Sequence, residues 1–307
     1  MITIPIQTSR GCPFHCSFCS VTGMFGKAYR FRSTENVIEE LHSYDHKKNT
    51  IFFYDDNFTA NRKRAKELLQ RMIKEKLKFQ WSTQVRVDIA KDPEIVGLMK
   101  KAGCHTVYVG MESVNPKSLK SMKKQQTVEE MAQAMQIFRQ QRIHVHGMFV
   151  YGFDDDDWQT VKETVKFAKK VKFSSTQFMI LTPLPGSEFY NQVKRENRIQ
   201  FHDWALYDAH HAVFKPKRLS LFELQRAQIY SHSSFYSIIE VIRRAMSFAW
   251  VEFAIALYAR KINRLWQKQN RAFLRVMDLC RSKKDLKIKI DYRERVWIED
   301  EMAGVET

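Results

Sequence analysis

Along the first two thirds of the chain, short β-branched or aromatic runs alternate with longer segments in which apolar residues recur every three or four positions. The short runs predict strands at Ile2–Gln7, Thr50–Tyr54, Phe79–Val85, Thr106–Gly110, Val145–Tyr151 and Thr176–Leu181. The longer ones predict helices at Thr34–Tyr44, Arg62–Lys76, Pro93–Lys101, Val128–Gln140, Trp158–Lys170 and Ser187–Arg195. Several ends are legible: Ser33 caps a helix with Glu35 in its first turn, Asp92 precedes Pro93 at a first helical position, and Gly103 stops the helix before it. Six strand-then-helix units in succession imply a parallel sheet, because parallel neighbours need a crossover connection. An open doubly wound sheet and a closed or partly closed barrel both satisfy this pattern. In either, chemistry gathers at the carboxyl ends of the strands.

After Pro216 the pattern changes to helical periodicity through Leu219–Leu279, with one strand expected at Lys287–Ile290. A boundary is therefore expected near 216, dividing a region 1–216 from a basic helical region 217–307. Charge sharpens the division. The 307 residues carry a formal net charge of +17, and residues 240–289 hold 13 Lys and Arg against 4 Asp and Glu. Such an excess invites an anionic partner but does not speak to fold. The acidic run Asp154–Asp157 sits at a strand-to-helix turn, where acids favour the start of the next helix. With 44% apolar residues the chain can bury one large core or two modest ones, which excludes a disordered tail. Five cysteines are too few and too unevenly spread for a secreted disulfide framework, and Met1–Gln7 has no basic stretch leading into an apolar core. A cytoplasmic location is expected. The longest apolar stretch, Ala245–Ala259, is broken by Ser247 and Glu252 and falls short of the roughly 20 residues a spanning helix needs.

Cys12, Cys16 and Cys19 lie in Arg10-Gly-Cys-Pro-Phe-His-Cys-Ser-Phe-Cys-Ser20, just past the first strand. Three thiolates from one loop select soft or borderline metals, and an iron-sulfur cube held by three of them keeps one iron free of protein. A structural zinc site would want a fourth ligand, for which His15, Cys104 or His42 is available. Cys104 and Cys280 otherwise read as small buried hydrophobes, and His144 and His146 as ordinary core or surface histidines on a strand.

The loop resembles the signature of the radical S-adenosylmethionine (SAM) superfamily, in which an aromatic residue stands directly before the last cysteine, as Phe18 does here. The resemblance runs from about Ile4 to Pro216. It implies a partial (β/α)6 TIM-like barrel with a [4Fe-4S] cluster on Cys12, Cys16 and Cys19, a free iron that chelates SAM, and reductive cleavage of SAM to a 5′-deoxyadenosyl radical. Further positions carry over one by one. Where the family often has Gly-Gly-Glu for the SAM amino group, this chain has Tyr54-Asp55-Asp56-Asn57, so Asp55 and Asp56 are candidates; a turn and N-cap role before Arg62 competes. Glu112 in Gly110-Met-Glu-Ser113 matches the segment that accepts hydrogen bonds from the ribose hydroxyls. Arg86 stands where relatives place a cation near the SAM carboxylate, with an internal ion pair to Asp88 or Glu112 as the competing role. Gly147 and Gly152 resemble the glycines that let the backbone approach the adenine, and Pro183 belongs to a turn similar to one that closes over the nucleotide in the family, an ordinary turn being the competing role.

The motifs look most like the cobalamin-linked branch, which includes anaerobic magnesium-protoporphyrin monomethyl ester cyclase and C-methyltransferases. The Asp-x-His-x-x-Gly motif of its cobalamin-binding domain is missing; Asp208-Ala-His210 comes nearest, with Val213 in place of the glycine. The expectation is a chain that is N-terminally shortened or works without cobalamin, so that no cobalamin is expected on this chain alone. The implied partners are an unidentified small-molecule substrate and an electron donor such as flavodoxin or ferredoxin. An RNA-modifying enzyme and a metal-stabilised binding module docking through its basic helices are the alternatives; nucleic acid is not the expected partner. Peripheral contact with an anionic membrane through 235–279 is expected, in competition with packing of the same apolar side chains inside the protein.

Overall fold

The computed structural model describes residues 1–26, 28–281, 287–291 and 295–299. Six strands, β1 (Ile2–Ile6), β2 (Asn49–Phe53), β3 (Trp81–Val85), β4 (Cys104–Glu112), β5 (His144–Tyr151) and β6 (Ser175–Ile180), form one sheet in chain order. Neighbouring strands pair in parallel from β1 through β5. The longer helices between them are α1 (Thr34–His42), α2 (Arg62–Lys74), α3 (Pro93–Lys101), α4 (Val128–Gln140) and α5 (Trp158–Val171), with short ones at Val21–Phe25 and Pro116–Ser121 and α6 (Glu188–Arg195) after β6. The result is a curled half-barrel with helices around it, the partial six-unit barrel expected above.

The caps behave as local chemistry dictates. The Ser33 side chain accepts from the Asn36 amide, Asp92 from Ile95, and Thr127 forms a reciprocal box with Glu130 ahead of α4. The cap of α2 is Asn61, which accepts from Arg64, so neither Asp55 nor Asp56 serves as the N-cap. β4 runs two residues past Gly110, with an irregular register against β5 between Gly110 and Glu112.

Period-two alternation sorts the strand residues by face. Ile51, Phe53, Trp81, Val107, Val109, Val145 and Phe149 are buried, as are Leu41, Leu68, Met72, Met99 and Phe138 on the helices. The opposite strand positions, including Ser82, Gln84, Tyr108, His146 and Gln177, are only half-buried and mostly polar. Gly147 belongs to the buried set: a Cβ there would lie 2.7 Å from the Phe173 ring, so the glycine admits that ring. Cys104 is buried at the start of β4 and burial pushes its thiol pKa far up, in keeping with a small hydrophobe. The Cys280 side chain lies outside the described residues.

The chain divides into two compact units: 1–149 with 163–177 and 185–188, and 150–162 with 178–184 and the residues from 189 on. The second contains α7 (Leu221–Phe235), α8 (Ile238–Met246), α9 (Trp250–Gln269) and α10 (Arg271–Cys280), followed by a hairpin of Lys287–Asp291 with Arg295–Glu299. Its acidic run is fully used: Asp156 accepts from the Gly152 and Phe153 amides, Asp157 from Thr160, and Asp154 and Asp157 pair with Arg198 and Arg218. Among the described residues no helix is long and apolar enough to cross a membrane.

His146 faces the half-buried side of β5, 2.7 Å from the Ser175 hydroxyl and beside the Tyr108 ring. Burial holds its pKa down at about 4, against 6.5 in the free side chain. As pH falls through about 6.5 the unfolded chain binds a proton that the folded chain refuses until about 4, so stability is lost across that window. His146→Gln removes the titration and should flatten the decline of unfolding free energy between those limits. Urea denaturation across the window checks this; an unchanged slope would show that His146 charges in the folded protein.

Candidate active site

The loop after β1 and the carboxyl ends of β2, β3 and β4 surround a pocket of about 200 Å³ within the first unit. Cys12, Cys16 and Cys19 line it together with Phe18, Asp56, Asn57, Arg86, Glu112 and Lys124. Seven of the residues singled out from the sequence, Cys12, Cys16, Cys19, Phe18, Asp56, Arg86 and Glu112, therefore share it, while Asp55 and Gly147 do not line it.

The loop is aimed by Asp55. This fully buried carboxylate accepts from both the amide and the hydroxyl of Thr8, at 2.6 and 2.5 Å, and of Ser9, at 3.1 and 2.8 Å. With four donors on it, Asp55 is turned toward the end of β1 and is not among the pocket-lining side chains. Asp56, its neighbour, does line the pocket and accepts from the Gly11 amide at 3.2 Å; burial raises its pKa. Gly11 has φ +92, and a Cβ would lie 2.9 Å from the Ala28 carbonyl oxygen, so the turn into the cysteines needs glycine. The Cys19 amide then bonds back to the Cys16 carbonyl, and the Ser17 amide to the Met122 carbonyl.

Arg86 lies with its guanidinium 3.9 Å from the Phe14 ring centroid, donates to the Lys124 carbonyl at 2.5 Å and sits 3.8 Å from the Cys16 sulfur. Its Nε is 3.6 Å from Asp88 and makes no hydrogen bond. Glu112 pairs instead with Lys124, Nζ to Oε1 2.6 Å, both side chains 8% exposed. Lys124 was not singled out from the sequence, where Lys123-Lys124 reads as two solvated charges. The backbone separates them: Lys123 and Gln125 have φ of 57° and 54°, and Lys123 stays exposed on Glu188 at 2.9 Å while Lys124 is buried. Burial pushes the Cys12 and Cys19 thiols up, and their closeness to Cys16 adds to this; Arg86 opposes the rise at Cys12 and Lys124 at Cys19.

The remaining candidates lie elsewhere. Gly152, with φ +117, and Pro183 belong to the second unit and are not among the pocket-lining residues. Of the side chains available as a fourth zinc ligand, His15 faces Glu188 at 2.7 Å, His42 faces Glu75 at 3.2 Å and Cys104 is buried in β4.

The pocket's donor set, three thiols from one loop beside charges of both signs, fits an iron-sulfur cluster with a zwitterionic ligand. Among the described residues, no group of three or more His, Cys, Asp or Glu is arranged to hold a single metal ion. A cube attaches each thiolate to a different iron, so its ligands need only line one pocket, as these three do. Two buried polar atoms of lining residues, Asn57 Oδ1 and Arg86 Nε, have no hydrogen-bond partner, although Arg86 Nε is within ion-pair distance of Asp88, as the competing reading expected. Buried polar groups are normally paired, so an acceptor and a cationic donor left open here point to a ligand with a donor and an anion.

Comparison with known proteins agrees. An uncharacterised methyltransferase of Pyrococcus horikoshii is 36% identical over 75% of this chain and 50% of its own length. The anaerobic magnesium-protoporphyrin IX monomethyl ester cyclase of Cereibacter sphaeroides is 29% identical over 76% of this chain and 39% of its own length. The chain thus spans half or less of these curated relatives. The fold of the radical SAM methyltransferase TsrM from Kitasatospora setae, solved with cobalamin and a [4Fe-4S] cluster bound, superposes with a TM-score of 0.59 at 21% identity, covering 62% of this chain and 36% of that one. The family profile of the radical SAM superfamily matches residues 6–168, more than half of the 307, and the chain belongs to that superfamily.

Proposed function

We propose that Cys12, Cys16 and Cys19 hold a [4Fe-4S] cluster and that the rest of the pocket holds SAM, for a cyclase- or methyltransferase-like reaction on a small molecule. The observation that carries this reading is the pocket itself, which joins three thiols to opposed charges and leaves Asn57 Oδ1 and Arg86 Nε open. When bound, the cluster supplies one electron, delivered by a donor such as flavodoxin or ferredoxin, that breaks the sulfonium bond of SAM into methionine and a 5′-deoxyadenosyl radical.

This chain's own residues divide the remaining work by charge. Arg86 and Lys124 suit the carboxylate of SAM, Arg86 through an Nε that makes no hydrogen bond within the protein. Asp56 and Asn57 Oδ1 suit the ammonium. Glu112, held by Lys124, accepts from the ribose hydroxyls with its second oxygen. Phe14 and Phe18 cover the loop with apolar surface and limit the water that reaches the thiols. Asp55 acts indirectly, by fixing Thr8 and Ser9.

Anaerobic reconstitution with iron and sulfide, followed by assay of 5′-deoxyadenosine with and without cobalamin, tests the proposal. Substituting any one of the three cysteines by Ala should abolish SAM cleavage. Wild-type protein that takes zinc instead, or a cluster whose EPR signal ignores SAM, would overturn it.

Glu112→Gln should keep the iron content and lower SAM affinity roughly tenfold or more, since a hydrogen bond to a charged group is worth about 1.5–3 kcal/mol. Equilibrium binding to the reconstituted protein measures this, and unchanged affinity would reduce Glu112 to a partner for Lys124.

We also propose that this chain by itself holds no corrinoid. A doubly wound cobalamin-binding sheet is on the order of 100 residues, whereas the described residues after 216 form four helices and one hairpin. A corrinoid spectrum that stays with the purified chain through gel filtration would refute this.

A further inference from the structure

α8, α9 and the turn between them leave an unusual amount of large apolar surface open. Ile239 is 73% exposed, Met246 75%, Phe248 77% and Trp250 60%, and Ile238 and Ile242 are also exposed. Phe248 takes a left-handed φ of 54° at the turn. Along α9 the exposed apolar residues continue as Val251, Ala254, Tyr258, Ile262 and Leu265, spacings of three and four that place them on one face. Ala256 is the one residue of α9 that is buried. The internal packing expected as the competitor accounts for Phe253 and Trp266, which are half-buried, but not for Phe248, Trp250 and Leu257.

The cations are arranged with equal regularity. Lys261, Arg264 and Lys268 are exposed and, by helical spacing, form a row beside the apolar stripe in the carboxyl half of α9. Arg243 is exposed on α8, paired with Glu240. Arg244 and Arg260 have structural work, over the Phe235 and Tyr236 rings and on the Tyr236 carbonyl at 2.7 Å. Residues 238–271 carry seven Lys and Arg against Glu240 and Glu252.

We propose that this hairpin docks on an anionic lipid surface, with the turn Met246–Trp250 in the acyl boundary and the lysines and arginines of α9 on the headgroups. Apolar and aromatic side chains at one end with a bordering row of cations is the composition of an interfacial helix. Charge decides against a second copy of this chain as the occupant, because a self-complementary contact would bring the same basic row against itself. It decides equally for a negatively charged surface.

Co-sedimentation of the full chain with vesicles is the test. Phosphatidylglycerol-containing vesicles should carry the protein down at low salt, and pure phosphatidylcholine vesicles should not. Lys261→Glu with Arg264→Glu should weaken binding by about fivefold or more per cation. Phe248→Ser with Trp250→Ser should abolish it with the same circular dichroism and melting temperature as wild type. Failure to sediment with anionic vesicles at low salt, or undiminished binding in the Phe248 and Trp250 variant, would overturn the proposal. A dimer in sedimentation velocity that those two substitutions dissolve would give the face to a second copy instead. None of these readouts uses SAM cleavage, so their failure leaves the active-site reading untouched.

Discussion

The pocket depends on one buried carboxylate. A charge withdrawn from water is tolerated only when its lone pairs are filled, and Asp55 fills its own with two amides and two hydroxyls from consecutive residues. Thr8 and Ser9 then have no freedom left. Arg64 supplies the opposite charge one step away, donating to the Thr8 hydroxyl and carbonyl at 3.1 and 2.9 Å, and Tyr29, whose hydroxyl lies 3.2 Å from that of Ser9, donates to the Asn57 carbonyl. The end of β1 is thereby bolted to the end of β2, and the chain can leave it in only one direction. Gly11, by its left-handed φ, turns that direction into the cysteine loop.

What the loop delivers is a set of groups that resist being together. Burial raises the thiol pKa values of Cys12 and Cys19, and nearby Cys16 adds to the rise. Glu112 is held at φ 61, a conformation that costs a non-glycine residue about 1–2 kcal/mol. Its ion pair with Lys124 offsets that cost and delivers a fixed cation to the pocket. The same lysine's carbonyl positions Arg86, so the cations opposing the buried thiols are coupled to each other through one residue. The pocket thus holds thiols, carboxylates and cations side by side.

Much of the fold was legible, because its determinants are local. α3 begins and ends where Asp92-Pro93 and Gly103 say it should, and α4 spans the Val128–Gln140 that periodicity marks. The strands were legible to within two residues, since alternation marks their middles and not their ends. β4 was read as stopping at Gly110, and it continues through Glu112 because a tertiary ion pair, invisible to periodicity, holds the extra residues in place. The cysteines, Phe18, Asp56, Arg86 and Glu112 were legible through motif resemblance. Asp55 was found for the wrong side of the turn: sequence places two carboxylates side by side and does not say which faces inward. Lys124 had no signal at all, since its burial follows from the two left-handed residues that flank it.

The same logic explains why the substrate is not legible. Packing against helices dictates apolar residues at Val107, Val145 and Phe149, and it dictates the glycine at 147 through the Phe173 ring. The opposite face of the same strands is under no such demand. Gln84, Tyr108, His146 and Gln177 are half-buried and polar where the fold would accept many other residues. Residues that the fold requires announce themselves by pattern, and residues that only a bound molecule requires do not. The positions that resemble the superfamily motif are, in the function proposed above, those that hold the cluster and SAM. Periodicity therefore accounts for the buried face of these strands and leaves residue choice on the half-buried face open.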